Sequence, residues 1–223
     1  MAFLEHLAAF AANPAGSTIN FTQTVSAGSN RIAFILCGGG YRNGKTDSVW
    51  PATLTWGGQT INRGLTHSDN NADAACYVAY ESDIAALSSG SGSITLDETG
   101  ALGTEGYVVS ILVYEDVNQT LADSDSVLDG TSRTLTTTSG DICMGAAMCR
   151  GSETPTTTDT ERFSANSGTN IGDCNALGWD ETASTTSTVV DVGGSPSRLV
   201  LFAYAMTPEA ATAGTSTILQ QHG

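Results

Sequence analysis

Residues 52–65, ATLTWGGQTINRGL, constrain the fold more than any other stretch. Thr53, Thr55 and the Thr60/Asn62 pair alternate with Leu54, Trp56 and Ile61. That is the period of two expected of half-buried strands. Gly57-Gly58 falls between the two arms, where a two-residue hairpin turn needs positive φ and glycine supplies it without steric cost. The segment therefore predicts a β-hairpin, and a hairpin of this kind dictates architecture and carries no catalytic chemistry.

The rest of the chain repeats the same grammar. Residues 17–25 alternate around Ile19, Phe21 and Val25. The apolar run at 31–37 (RIAFILC) reads as a strand buried on both faces, and those at 106–114 (GYVVSILVY) and 197–206 (SRLVLFAYAM) as further strongly apolar strands of the core. Residues 74–80, 93–96, 132–138, 141–149 and 185–192 complete the strand-like set. Residues 3–12, FLEHLAAFAA, have helical propensity, but alanine fits either period. The surrounding β pattern and the turn at Pro14-Ala15-Gly16 favour a strand there. Polar loops are expected at 38–50, 66–72, 88–93, 115–130 and 151–172, and no convincing helix is expected. The fold class that follows is all-β, a single-domain, jelly-roll-like β-sandwich with long polar loops over residues 1–208, followed by a small-residue tail at 209–223.

Composition narrows the function. Eight Lys and Arg face 23 Asp and Glu, a formal net charge of −15. Such a surface repels phosphate backbones and anionic bilayers, so neither nucleic acid nor membrane is an expected partner. No apolar run approaches the ~20 residues of a membrane-spanning helix. The amino-terminal apolar run has no preceding Lys or Arg and is interrupted by Glu5, a poor secretory signal, so synthesis and assembly in a cytoplasm are expected. The five cysteines include no CxxC pair. Buried, reduced thiols are expected, with Cys149–Cys174 the best disulfide candidate.

Catalytic and metal-binding patterns are thin. His6, His67 and His222 are isolated from one another and from cysteine at ligand spacing. No nucleophile elbow separates a strand from a helix, and no carboxylate pair stands out. Asp123, Asp125 and Asp129, in DSDSVLDG, match the oxygen-rich start of a calcium loop, yet lack its sixth-position glycine and closing glutamate. They read as calcium candidates against the plainer reading of an acidic loop. Trp50, Trp179 and Tyr41, flanked by polar sequence, are candidates for a contact surface, whereas Trp56 reads as core. No cofactor is expected, and the chain reads as a non-enzyme.

Four segments in order carry a resemblance: Gly28-Ser29-Asn30-Arg31 before an apolar strand, the hairpin at 53–60, YVVSILVY followed by the acidic EDVNQT at 115–120, and the closing strand RLVLFAYA at 198–205. The chain resembles the β-sandwich structural domains of tailed bacteriophages and of prophage-derived or bacterial surface proteins. The likeness runs over roughly residues 28–206. It departs at Glu115-Asp116, where a glycine is usual, and in the tail. The resemblance implies a virion structural role, most simply a capsid decoration (cement) protein on the lattice of the major capsid protein. It also implies contact with other virion proteins and a homotrimer on the capsid surface. The alternative it leaves is a carbohydrate-binding or adhesin-like module of a fibre, tail or bacterial surface protein.

Overall fold

The computed structural model describes residues 2–12, 18–39, 50–68, 73–96, 106–150, 153–168, 173–194, 196 and 198–210. Fifteen strands and one short helix lie among them. The first sheet has eight strands: β1 (Ala2–Ala12), β2 (Thr18–Thr22), β3 (Ile32–Gly39), β4 (Thr53–Trp56), β5 (Gln59–Ser68), β6 (Asp73–Tyr80), β7 (Ser91–Thr95) and β8 (Tyr107–Glu115). Their spatial order is β1-β8-β3-β6-β5-β4-β7-β2. The helix α1 (Glu81–Ala85) follows β6. A second sheet takes β9 (Asp123–Leu128), β11 (Ile142–Arg150), β12 (Thr160–Asn166), β13 (Cys174–Thr182) and β15 (Leu199–Met206), in the order β12-β13-β11-β15-β9. A two-stranded ribbon pairs β10 (Ser132–Thr136) with β14 (Ser187–Asp191).

The predicted hairpin folds in the expected register, Thr53 opposite Asn62 and Trp56 opposite Gln59. Gly57 and Gly58 turn it at φ 52° and 85°. β5 then serves two partners. Residues 59–62 pair with β4, and residues 63–68 pair with β6, with the register breaking between Arg63 and Leu65. A break of this kind bends a strand, and here it turns β5 from one layer into the next. The large sheet is curled accordingly. Eight strands laid flat would set its two edges ~34 Å apart. The chain from Ala12 at one edge to Thr18 at the other spans at most about 20 Å.

Strand alternation distributes the apolar side chains into three buried layers. On β3, Ala33, Ile35 and Cys37 join Trp50, Leu54, Trp56 and Ile61 inside the curled sheet. Ile32, Phe34 and Leu36 point the other way, against Met144, Phe202 and Tyr204 of the second sheet. Cys143, Trp179 and Leu201, on the far face of that sheet, pack under Leu135 and Val190 of the ribbon. Strands buried on both faces explain the unbroken apolar runs of β3, β8 and β15. Among the described residues, Val189 is the one large apolar side chain that is exposed.

The structure corrects several sequence expectations. The segment at 3–12 is a strand, as the β context favoured. The loop expected at 66–72 is strand as far as Ser68, and that at 88–93 becomes β7 from Ser91. The acidic loop at 115–130 contains β9, and the polar stretch at 151–172 contains β12. These strands escaped notice because they are sheet edges with few buried side chains, only Phe163 in β12. The tail expected from 209 is anchored at its start, where Glu209 N–H donates to the Asp116 carbonyl (2.8 Å). Residues 211–223 lie outside the described residues.

Candidate functional site

The two tryptophans expected on a contact surface are fully buried. Trp50 donates its indole N–H to the Asp73 carbonyl (3.2 Å) and packs inside the curled sheet. Trp179 lies flat over Gly145 of the neighbouring strand, where a Cβ would come within 2.3 Å of the ring. Polar sequence neighbours misled in both cases, because burial is decided by the strand across the sheet. Tyr41 lies outside the described residues.

The calcium candidates do not converge. Asp123 and Asp125 sit on β9, and Asp129 in the turn behind it at φ 55°. Asp123 accepts the backbone N–H of Ser124 (2.8 Å) and of Thr136 (2.7 Å). Asp125 pairs with Arg133 (3.2 Å), and Asp129 lies 3.8 Å from Arg198. Each carboxylate is engaged by the protein itself, and among the described residues no group of three metal-capable side chains occurs. The disulfide candidate fails on geometry: Cys149 and Cys174 are both free thiols, on opposite faces of the second sheet.

Side chains that often carry chemistry are instead drawn into the folded interior. His6 Nε2 meets Ser110 Oγ at 2.8 Å, but Ser110 is fully buried and the imidazole is stacked on Phe163 (5.2 Å between centroids). Burial lowers the His6 pKa. His67 Nε2 meets Ser126 Oγ at 2.9 Å and ties β5 of the first sheet to β9 of the second. Arg162 forks onto Asp180 (2.7 and 2.8 Å), which also accepts the Tyr114 hydroxyl (3.1 Å). The same guanidinium lies 4.3 Å from the centre of the Phe3 ring, clamping β1 to β12 and β13. These pairs are 59 to 104 residues apart in sequence for the two histidines, so no local pattern announces them.

A cleft of about 280 Å³ opens at the seam between the sheets. Leu65, Val78 and Leu121 give it an apolar base, and Arg63, Tyr80 and Ser124 a polar rim. Tyr204 lines it with a buried hydroxyl that makes no well-formed hydrogen bond; the Cys76 thiol and the Leu65 backbone are among its polar neighbours. Burial raises the Tyr204 pKa well above its ordinary value and pushes the Cys76 thiol up to about 12. Both groups stay protonated at neutral pH, which suits them to contact and not to nucleophilic or base chemistry.

Glu181, at the end of β13, is the strongest perturbed carboxyl. Burial first, then the nearby charges of Asp159 and Asp191, push it up to about 7. One of its oxygens is shut off from solvent with no hydrogen-bond partner. The sign of its effect on stability follows. A carboxyl with a raised folded-state pKa contributes stability in its protonated form, present below the ordinary value near 4.5 and lost as pH rises through about 7. The lowered pKa of His6 acts the opposite way, since its charging as pH falls disfavours the fold. Comparing Glu181→Gln with the parent isolates the carboxyl. The variant is expected to be about 1–2 kcal/mol more stable at pH 8, after discounting for solvent screening, and nearly equal at pH 4.5. Urea unfolding at both pH values checks this; equal differences at the two would contradict it.

No family of known proteins, curated protein or solved structure matches the chain.

Proposed function

We propose that this chain is a virion structural protein of a tailed bacteriophage: a capsid decoration protein that binds the major capsid protein lattice as a homotrimer, assembled in the host cytoplasm. One observation carries the reading. Among the described residues, several side chains with catalytic potential are spent on holding layers together: His6 on Ser110, His67 on Ser126, Arg162 on Asp180 and Tyr114, and five buried thiols. The result is an all-β scaffold cross-tied between its layers, which suits a decoration protein. The resemblance of four sequence segments supports the same reading. In the fold, two of them meet at one corner, where Asp116 N–H donates to the Ser29 carbonyl (2.9 Å) and Val117 N–H to the Asn30 carbonyl (3.1 Å).

Among the described residues, Trp50 and Trp179 do not supply the aromatic contact surface expected of them. With Trp50 and Trp179 buried and little apolar surface exposed, the described surface offers charge and hydrogen bonds. A chain of net charge −15 finds its complement on a basic lattice face. The carbohydrate-binding alternative loses the same two tryptophans as stacking platforms.

Attachment of this kind is salt-sensitive. Purified protein mixed with undecorated shells of its source particle is expected to co-sediment at ~50 mM salt. At ~0.5 M the bound fraction should fall at least tenfold, as screening shortens the range of exposed charges to a few ångströms. Protein left in the supernatant at every salt concentration contradicts the proposal. Binding that ignores salt would retain the decoration role and overturn its electrostatic mechanism.

A further inference from the structure

We infer that the protein has an oxyanion-binding site between Arg150 and Arg198, a site that the decoration reading neither uses nor requires. Three neighbouring strands of the second sheet bring it together. Arg150 is the last residue of β11, Arg198 immediately precedes β15, and Asp129 follows β9. Antiparallel pairing sets Cys149 opposite Leu199 and Val200 opposite Leu128, so the three residues emerge at one end of the sheet. With Pro196 they line a cleft of about 440 Å³.

Arg150 supplies the first argument. Its Nε–H is shut off from solvent, and no acceptor meets it. Among the described residues its guanidinium has no ion-pair partner. A buried cationic donor left without an acceptor is costly, and in a chain with 23 acidic residues against 8 basic ones a carboxylate partner would be easy to supply. The Arg150 side chain nonetheless lines the cleft beside Arg198.

Arg198 supplies the second. It sits at φ 64°, a left-handed conformation unfavourable for a residue with a side chain, and Asp129 across the cleft sits at φ 55°. Their ion pair, at 3.8 Å, is too long for a hydrogen bond and is exposed on both sides, 41% and 45%. Such a contact contributes little and leaves the guanidinium fork available. Two guanidinium groups lining one cleft can offer paired donors to the oxygens of a phosphate, sulfate or carboxylate group, a task in which arginine outperforms lysine. Asp129 opposes an anion by charge, so the site selects a group small enough to sit on the arginine side.

The test is thermal unfolding of the full chain with sodium phosphate, sodium sulfate or sodium acetate, each against sodium chloride at matched ionic strength. At a hundredfold excess over its dissociation constant, a bound anion should raise Tm by roughly 5–10 °C, saturably. Phosphate and sulfate acting together identify a tetrahedral oxyanion; acetate alone identifies a carboxylate. Arg150→Gln and Arg198→Gln should each reduce the saturable shift at least fivefold. Arg198 is exposed enough that its variant folds even where Arg150→Gln does not. No saturable shift with any of the three anions overturns the inference, and so does a shift that Arg198→Gln leaves intact.

Discussion

Glu81→Ala is expected to destabilise the protein by about 3–5 kcal/mol, because it strands a buried guanidinium. Arg31 enters β3 with only 9% of its surface exposed. Glu81, at the start of α1, accepts from its backbone N–H (2.7 Å), from Nε (2.8 Å) and from Nη2 (2.5 Å). Nη1 donates to the Ser26 carbonyl (2.9 Å). Removing the carboxylate leaves three donors without their acceptor at a site that water reaches only in part. For a chain of this length the expected drop in Tm is roughly 6–20 °C. Arg31→Lys should also cost stability, since an ammonium cannot reproduce the fork. The Arg31 hydrogen bond depresses the Glu81 pKa, so the stability of this pair is present above the ordinary carboxyl value near 4.5 and is lost as pH falls through the depressed one. A Glu81→Ala variant within 1 kcal/mol of the parent at pH 7, measured by urea unfolding, would show that the pair is not an anchor.

Gly145→Ala is expected to cost about 2–4 kcal/mol for the addition of one methyl group. The new Cβ would stand 2.3 Å from Trp179 Cε2 and 2.4 Å from Cζ2, and the indole is completely enclosed. It can yield only by pushing Leu135 and Val190 of the ribbon outward, which opens the third layer. Gly140→Ala is the matched control. Gly140 stands at φ 97° with nothing within 4 Å of an added Cβ, so the change there costs backbone strain alone, about 1–2 kcal/mol. If the two substitutions prove equal, Trp179 is not locked against Gly145. The near-ultraviolet circular dichroism of Trp179 should weaken in Gly145→Ala and stay unchanged in Gly140→Ala.

These two sites mark the boundary of what sequence discloses here. The hairpin at 52–65 was legible because its determinants are adjacent: alternation on each arm and two glycines at the turn. The strands β3, β8 and β15 were legible as apolar runs, and the structure shows that all three are buried on both faces. β13 was missed, since Gly178 and Asp180 interrupt its pattern. The reason is spatial: a Cβ at Gly178 would come 2.1 Å from the Phe163 ring on one face, while Trp179 occupies the other. Arg31 read as the start of a strand, but its partner Glu81 lies 50 residues away. Trp50 and Trp179 read as surface residues because their neighbours in sequence are polar, whereas their neighbours in space are not. The oxyanion cleft had no signature at all, because Asp129, Arg150 and Arg198 come from three separate strand ends.

Image reconstruction of undecorated shells, with and without the purified protein at low salt, tests the proposed role most directly. Added density is expected on the outer surface at three-fold positions of the lattice, three chains to each. The all-β sandwich should fit that density with its acidic surface turned toward basic residues of the capsid protein. Shells that look identical with and without the protein would contradict it, as would added density confined to a tail or fibre attachment point.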